Sequence, residues 1–206
     1  MVSYPLDHLT QPDPQVVGGP IQDDEALFLF AIIRGMRLRR ILEVGGLHGY
    51  SATNFLRAVG PEGIVYTIDI EPVPPQAPNH RTIRKDVALV TADDLGSAPL
   101  DLLFFDAHSY VGQTDLLHRL TRGGVVTDAT VIALHDTNLH PSQFAPWAYP
   151  VEDGWVHQDA ERRMVNDLRR MGYDAFCLHT RPERHDESLP FRHGITVLQK
   201  QKTLQV

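Results

Sequence analysis

Apolar residues along this chain recur in two rhythms. Short runs of aliphatic, β-branched or aromatic residues end on glycine or an acid, and stretches with helical spacing follow most of them. Residues 41–44, 64–70, 81–85, 100–105, 130–134, 173–178 and 195–198 predict strands. Residues 50–59, 87–95, 110–120 and 157–171 predict helices, the first stopped by Gly60-Pro61 and the third by Gly123-Gly124. An earlier helix is predicted from Asp23 to about Arg39. Its acids stand at the start and Arg37, Arg39 and Arg40 at the end, which matches the helix dipole.

Strand and helix patterns that alternate in this way imply a parallel sheet covered on both faces. The polar stretch 181–190 carries no helical pattern, so the last two strands are expected to pair antiparallel. The predicted class is therefore α/β: a doubly wound, mostly parallel, seven-stranded sheet with one antiparallel strand. Residues 1–22, with Pro5, Pro12, Pro14, Pro20 and Gly18-Gly19, read as an irregular N-terminal arm, and 23–206 as a single domain. Residues 138–156 break the rhythm. A loop of that length inside a domain is commonly functional, and Trp147, Tyr149 and Trp155 argue against disorder. We expect it to be a lid over a bound acceptor.

Composition narrows the choice of partner. The formal charge is -7, from 19 basic and 26 acidic residues, and there is no basic run, which argues against nucleic acid. The longest apolar run, 26–33, is too short to span a bilayer, so no membrane association is expected. Residues 1–7 lack the basic and apolar regions of a secretory signal. Cys177 is the single cysteine, which excludes an internal disulfide and fits a cytoplasmic, reducing compartment. The apolar helix at 27–33 and the arm make a homodimer possible.

In open α/β sheets, ligands bind outside the carboxyl ends of the strands, so the chemistry is sought there. The first strand runs into Glu43-Val44-Gly45-Gly46-Leu47-His48-Gly49-Tyr50-Ser51. Glycines between a strand and a helix let a ligand approach the backbone. The acid before Gly45 would repel a pyrophosphate but suits a cationic ligand. Asp69 closes the second strand, where a carboxylate can accept ribose hydroxyls. Asp86, after the third, can accept from an adenine amine. Asp106 and His135-Asp136 close the fourth and fifth. Two carboxylates on neighbouring buried strands are costly unless a cation or hydrogen bonds compensate them, and an oxygen site with open positions suits Mg²⁺ or a similar divalent ion. The bland alternative is that Asp136 caps a turn and Asp106 holds an amine. Asp106, His108 and His135 also fit a two-histidine, one-carboxylate iron site of an oxygenase, but that leaves Asp69 and the glycines unexplained. His108 is either a general base or a loop hydrogen-bonder. Asp93 and Asp94 read as a solvated helix end. His140, His157, His179, His185 and His193 lack ligand spacing and read as surface residues.

An acid-x-Gly-x-x-x-Gly-Tyr-Ser segment, then acids closing the second and fourth strands and His-Asp-Thr closing the fifth, resembles the class I S-adenosylmethionine-dependent methyltransferases. Residues 41–52 resemble the catechol O-methyltransferase-like enzymes. Residues 104–138 are closer to a small-molecule group that includes macrolide-sugar O-methyltransferases. The resemblance implies a Rossmann-like methyltransferase fold, S-adenosylmethionine as cofactor and methyl transfer to a hydroxyl of a small molecule, as in secondary metabolism. It implies that Glu43 and Gly45 hold the methionine amino end within the Gly49-Tyr50 turn, with Ser51 near the carboxylate. Asp69 would take the ribose and Asp86 the adenine. Asp106, which also borders the cofactor, and Asp136 would ligate a divalent cation, with Thr137 or His135 beside it. Three positions depart from the relatives' patterns. Ser109 stands where catechol-type enzymes carry a lysine base, and His108 follows Asp106 by two residues where sugar-modifying relatives place a histidine three after. Thr137 stands before Asn138, where the catechol-type pattern has Asn at once. A metal-independent methyltransferase with His108 as base, and a non-catalytic nucleotide-binding module, are the competing readings. A nicotinamide oxidoreductase needs a pyrophosphate-binding glycine pattern that is absent here.

Overall fold

The first helix, α1 (Asp23–Gly35), ends earlier than its charge pattern predicts. Arg37 adopts φ 57, Leu38 N–H donates back to the Ile33 carbonyl at 2.9 Å and Arg37 N–H to Arg34 at 3.3 Å. This is a Schellman termination with arginine in the left-handed position. Arg39 and Arg40 then lie beyond the helix, where their N–H groups donate to Asp101 Oδ2 at 2.7 and 2.9 Å. The computed structural model describes residues 21, 23–138, 148–151, 154–157, 160–178 and 194–201. Nearly all of the expected arm, and the stretch 181–190, lie outside these, as do His140, His179, His185 and His193. Ile21 is buried against α1 and its neighbours.

Strands β1 (Arg40–Val44), β2 (Ile64–Asp69), β3 (His80–Arg84), β4 (Leu102–Phe105) and β5 (Val131–Leu134) pair in parallel. Strands β8 (Tyr173–Leu178) and β9 (Ile195–Lys200) complete a seven-stranded sheet of order β3-β2-β1-β4-β5-β9-β8. β9 alone is reversed, antiparallel to both β5 and β8, as the sequence predicts. Helix α2 (Tyr50–Val59) follows β1. Helix α4 (Tyr110–Arg122) follows β4, and α5 (Ala160–Arg170) precedes β8.

Two expected elements differ. The predicted helix at 87–95 divides into a single 3-10 turn, Val87–Leu89, and a short helix α3, Ala92–Leu95. Asp86 accepts from Ala88 N–H at 2.7 Å, and Thr91 and Asp94 form a capping box. Side chains that satisfy the backbone locally in this way break one helix into two. The 138–156 segment is not an unstructured loop: β6 (Ala148–Val151) and β7 (Gly154–His157) form an antiparallel ribbon. Residues 139–147, including Trp147, lie outside the described residues.

The core lies on both faces of the sheet. Leu42, Val44, Leu103, Phe105, Ile132 and Leu134 pack with Leu116, Leu120, Met164 and Leu168 of α4 and α5. The alternate residues Ile41, Phe104, Val131 and Ala133 pack with Leu29 and Ile33 of α1 and Phe55 and Val59 of α2. The Leu102–Phe105 run is wholly buried, as expected of a parallel strand covered on both sides. The apolar run of α1 is spent mainly on this interior packing. Register then places the site: Val44 is level with Ile68 and Phe105, and Phe105 with Leu134. Gly45, Asp69, Asp106 and His135 therefore emerge in one row. They flank the boundary between β1 and β4, where the strand order reverses.

Candidate active site

The glycine turn after β1 is shaped first by its neighbours. A Cβ on Gly45, which has φ +90, would stand 2.3 Å from the Asp106 carbonyl oxygen, and one on Gly46 would stand 2.1 Å from the Thr67 methyl. Only glycine lets β1 pass this close to β4 and β2. Gly49, at φ +79, starts α2. Asp69 closes the turn: its Oδ2 accepts from Gly46 N–H at 2.9 Å and Leu47 N–H at 2.8 Å, and its Oδ1 from Glu71 N–H at 2.9 Å. Beside the turn opens a cavity of about 290 Å³, lined by Val44, Gly45, Ile68, Asp69, Ile70, Lys85, Asp86, Val87, Ala107 and Ser109.

Glu43 and Ser51 do not line this cavity. Glu43 is fully buried and accepts from Ser51 Oγ–H and, at 2.6 Å, from Thr67 Oγ1–H. Thr67 in turn meets His80 Nε2 at 2.8 Å, and Gln76 N–H donates to His80 Nδ1 at 3.1 Å. Because the threonine hydroxyl gives its proton to Glu43, it accepts from His80, which therefore carries its proton on Nε2. Burial lowers the His80 pKa, in keeping with that neutral ring. Burial also pushes the Glu43 carboxyl up to about 7, against the pull of its two hydroxyl donors. Tyr50 begins α2 and packs against the interior on the α1 side.

The ends of β4 and β5 build a second, charged cluster. His108 Nε2 lies 3.4 Å from Asp136 Oδ2 and 3.9 Å from Asp106 Oδ1. His108 and Asp136 both hold the left-handed backbone, φ 52 and 56, a cost that folds retain mainly at functional sites. Glu161, fully buried on α5, grips His108 twice. It accepts from the backbone N–H at 2.9 Å, and its other oxygen lies 3.4 Å from Nδ1. Gln113 steadies Glu161 by donating to it at 3.0 Å.

Behind the aspartates, His135 Nδ1 is 3.2 Å from Oδ1 of both Asp106 and Asp136. Its Nε2 is 3.2 Å from Glu25 Oε2, and Glu25 Oε1 accepts from Gly194 N–H at 2.9 Å. Burial favours neutral rings at both histidines. The hydrogen bond and charge of Glu161, with Asp136 and Asp106, outweigh it and raise His108 to about 10. Asp136, Asp106 and Glu25 likewise hold His135 well above its usual value. Burial raises Asp106, opposed by His135 and His108.

Asp106, His108 and Asp136 thus converge as their spacing predicts. His135 Nδ1 lies within hydrogen-bond reach of both aspartates, and the Thr137 hydroxyl accepts from Thr196 of β9 at 2.8 Å. Sequence reasoning missed Glu25, Gln113 and Glu161. The two acids share the buried helical stripes Glu25-Ala26-Leu29-Phe30-Ile33 and Glu161-Met164-Val165-Leu168, and an acid on an apolar stripe is the signal that could have found them. One donor atom from each of Asp106, His108 and Asp136 lies within 4.8 Å of the other two. That spacing suits a single ion with bonds of about 2.0–2.4 Å.

No protein-family model matches the chain. A catechol O-methyltransferase of Mycobacterium tuberculosis (strain ATCC 25618 / H37Rv) is 30% identical over 173 residues, covering 77% of this chain and 79% of that protein. Among solved structures, cofactor-bound Rv0187 from MTB is similar with TM-score 0.65 at 20% identity, over 96% of this chain and 87% of that one. The O-methyltransferase TomG from Streptomyces achromogenes, in complex with SAM, has TM-score 0.59 at 20% identity, over 89% and 82%. The solved structures share the fold. The 30% relative carries the assignment further: this chain belongs to the catechol O-methyltransferase family and is an S-adenosylmethionine-dependent methyltransferase.

Proposed function

We propose that the enzyme methylates a hydroxyl of a small molecule, bound beside Asp106, His108 and Asp136 with the help of a divalent cation. The observation that carries this reading is the convergence of those three donors one strand away from the cavity beside Gly45. The cofactor lies across the Gly45 turn, its nucleoside in the cavity between Asp69 and Asp86. A carboxylate accepts at about four lone-pair sites, and Asp69 already receives three N–H groups. It therefore takes one ribose hydroxyl, not both. Glu43 and Ser51 support the methionine end from beneath the turn, with Gly49 and Tyr50 holding the start of α2.

The donor set fits a cation, which when bound supplies the charge that lowers the pKa of the acceptor hydroxyl. His135 and Glu25 hold the two aspartates in place, and Glu161 fixes the ring of His108. The acidic surroundings favour the sulfonium of the cofactor electrostatically. Holding oxygen, methyl and sulfur in line contributes ~7–11 kcal/mol at best. The β6–β7 ribbon falls in the segment expected as a lid, a role in which it would shield the acceptor from water.

The test incubates the enzyme with S-adenosylmethionine and a panel of catechols, phenols and sugar hydroxyls, and reads methylated product by mass spectrometry. Turnover should vanish in chelator and return with added divalent ions. Asp136→Ala should lower metal-stimulated turnover by about 100-fold or more, with S-adenosylhomocysteine affinity unchanged by calorimetry. Full turnover in chelator would remove the cation from the mechanism.

A further inference from the structure

We propose that His108 is a ligand of the cation and not a free base, so that the site is a mixed nitrogen and oxygen one that selects a borderline transition ion such as Co²⁺ or Zn²⁺ over Mg²⁺. The inference rests on the cation-assisted reading above and names the class of ion. Its ground is the way each donor is held. Asp136 turns Oδ1 to His135, at 3.2 Å, and Oδ2 to His108 Nε2, at 3.4 Å. Its two oxygens therefore face a support on one side and a second donor on the other. The imidazole is gripped from behind by one buried carboxylate, through both its backbone N–H and Nδ1. That grip, and the left-handed backbone at residue 108, aim Nε2 at the aspartates.

A histidine that meets a carboxylate at one ring nitrogen and offers the other to the site has the orientation of carboxylate–histidine–metal arrangements, in which the outer carboxylate fixes the tautomer and strengthens the donor. The support is complete for all three donors: Glu161 backs His108, and His135, anchored by Glu25, backs Asp106 and Asp136. Mg²⁺ prefers oxygen ligands in near-ideal octahedra and keeps its waters, whereas imidazole suits later divalent ions. The hard-ion expectation drawn from the two aspartates alone changes once the ring nitrogen joins them.

The experiment loads the full chain with Mn²⁺ and records electron spin-echo modulation, alongside calorimetric titrations with Mg²⁺ and Co²⁺. The ¹⁴N modulation of a bound imidazole is expected in the native protein and lost in His108→Asn. Co²⁺ affinity should fall about 10- to 100-fold in His108→Asn, and similarly in Glu161→Gln, while Mg²⁺ affinity changes little. Retained S-adenosylhomocysteine binding shows that the variants are folded. Bound Mn²⁺ without nitrogen modulation, or modulation that survives His108→Asn, overturns the inference and leaves the cation reading standing. A chain that binds S-adenosylhomocysteine but none of the three ions overturns both.

Discussion

Glu43 is sealed beneath the glycine turn, with Ser51 and Thr67 as its donors. Its carboxyl is raised from 4.5 to about 7 by burial, which fixes the direction of a pH effect. Below the unfolded value both states are protonated and the stabilising contribution is complete. As pH rises from about 4.5 to about 7, the unfolded chain ionises first and the native state must either hold its proton or bury a charge, so stability is lost. The loss is on the order of 3 kcal/mol. Glu43→Gln should be the more stable protein at pH 8 and should show a flatter profile, read as urea midpoints at pH 5 and pH 8. An equally steep profile in the variant would assign the loss to another group. The spacing of Glu43 before Gly45 marks it as a candidate for the cofactor end of the turn; the structure adds an interior hydrogen-bond chain running to His80 and Gln76. One-dimensional spacing marks which side chain is unusual, but the neighbours that decide its role come from β2 and β3.

At the scale of elements, α1 joins packing to the charged cluster. Leu29 is fully buried against the sheet, one helical turn from Glu25. Leu29→Ala should cost about 2–5 kcal/mol, measured by denaturant unfolding, because the space between α1 and α2 cannot close fully. Most elements were legible because their signals are strong. The Leu102–Phe105 run is apolar without interruption, and Gly60 and Pro61 punctuate α2 so clearly that its predicted bounds match. What escaped prediction was decided locally by side chains: Asp86 and Thr91 divide the expected helix at 87–95, and Arg37 turns α1 off early. Glu25 and Glu161 escaped for a related reason. An acid in the first turn of a helix is ordinarily solvated and favoured by the dipole, and only the packing of α1 and α5 shows these two facing inward. The spacing of Asp106, His108 and Asp136 was enough to bring the three together, because parallel register does the rest.

At the scale of the molecule, cofactor binding and folding stability are one quantity. The cavity proposed for the cofactor is walled by the ends of β1 and β2 and by the residues after β3 and β4, so on that placement S-adenosylhomocysteine binds the assembled sheet and not the unfolded chain. At about 100 times its dissociation constant it should add roughly 2.7 kcal/mol to stability, visible as a raised Tm. In Asp69→Ala, which removes the acceptor for Gly46 and Leu47 N–H groups, the Tm gain at the same ligand concentration should shrink. An undiminished gain would refute the placing of the ribose at Asp69. The net charge of -7 acts in the same direction for a cationic cofactor, as a long-range bias that salt should weaken.

The reversed strand has a consequence for how the protein is made. Strands β1 to β5 can assemble roughly in the order in which a ribosome delivers them, N-terminal part first. β8 cannot join next, because its place in the sheet is reached only through β9, which is synthesised after it. The edge of β5 therefore waits uncovered, and Glu25 waits for the Gly194 amide, until the strand that seals both has emerged. Catalytic competence thus arrives late in translation, with the interior of the sheet closed from its chemical end.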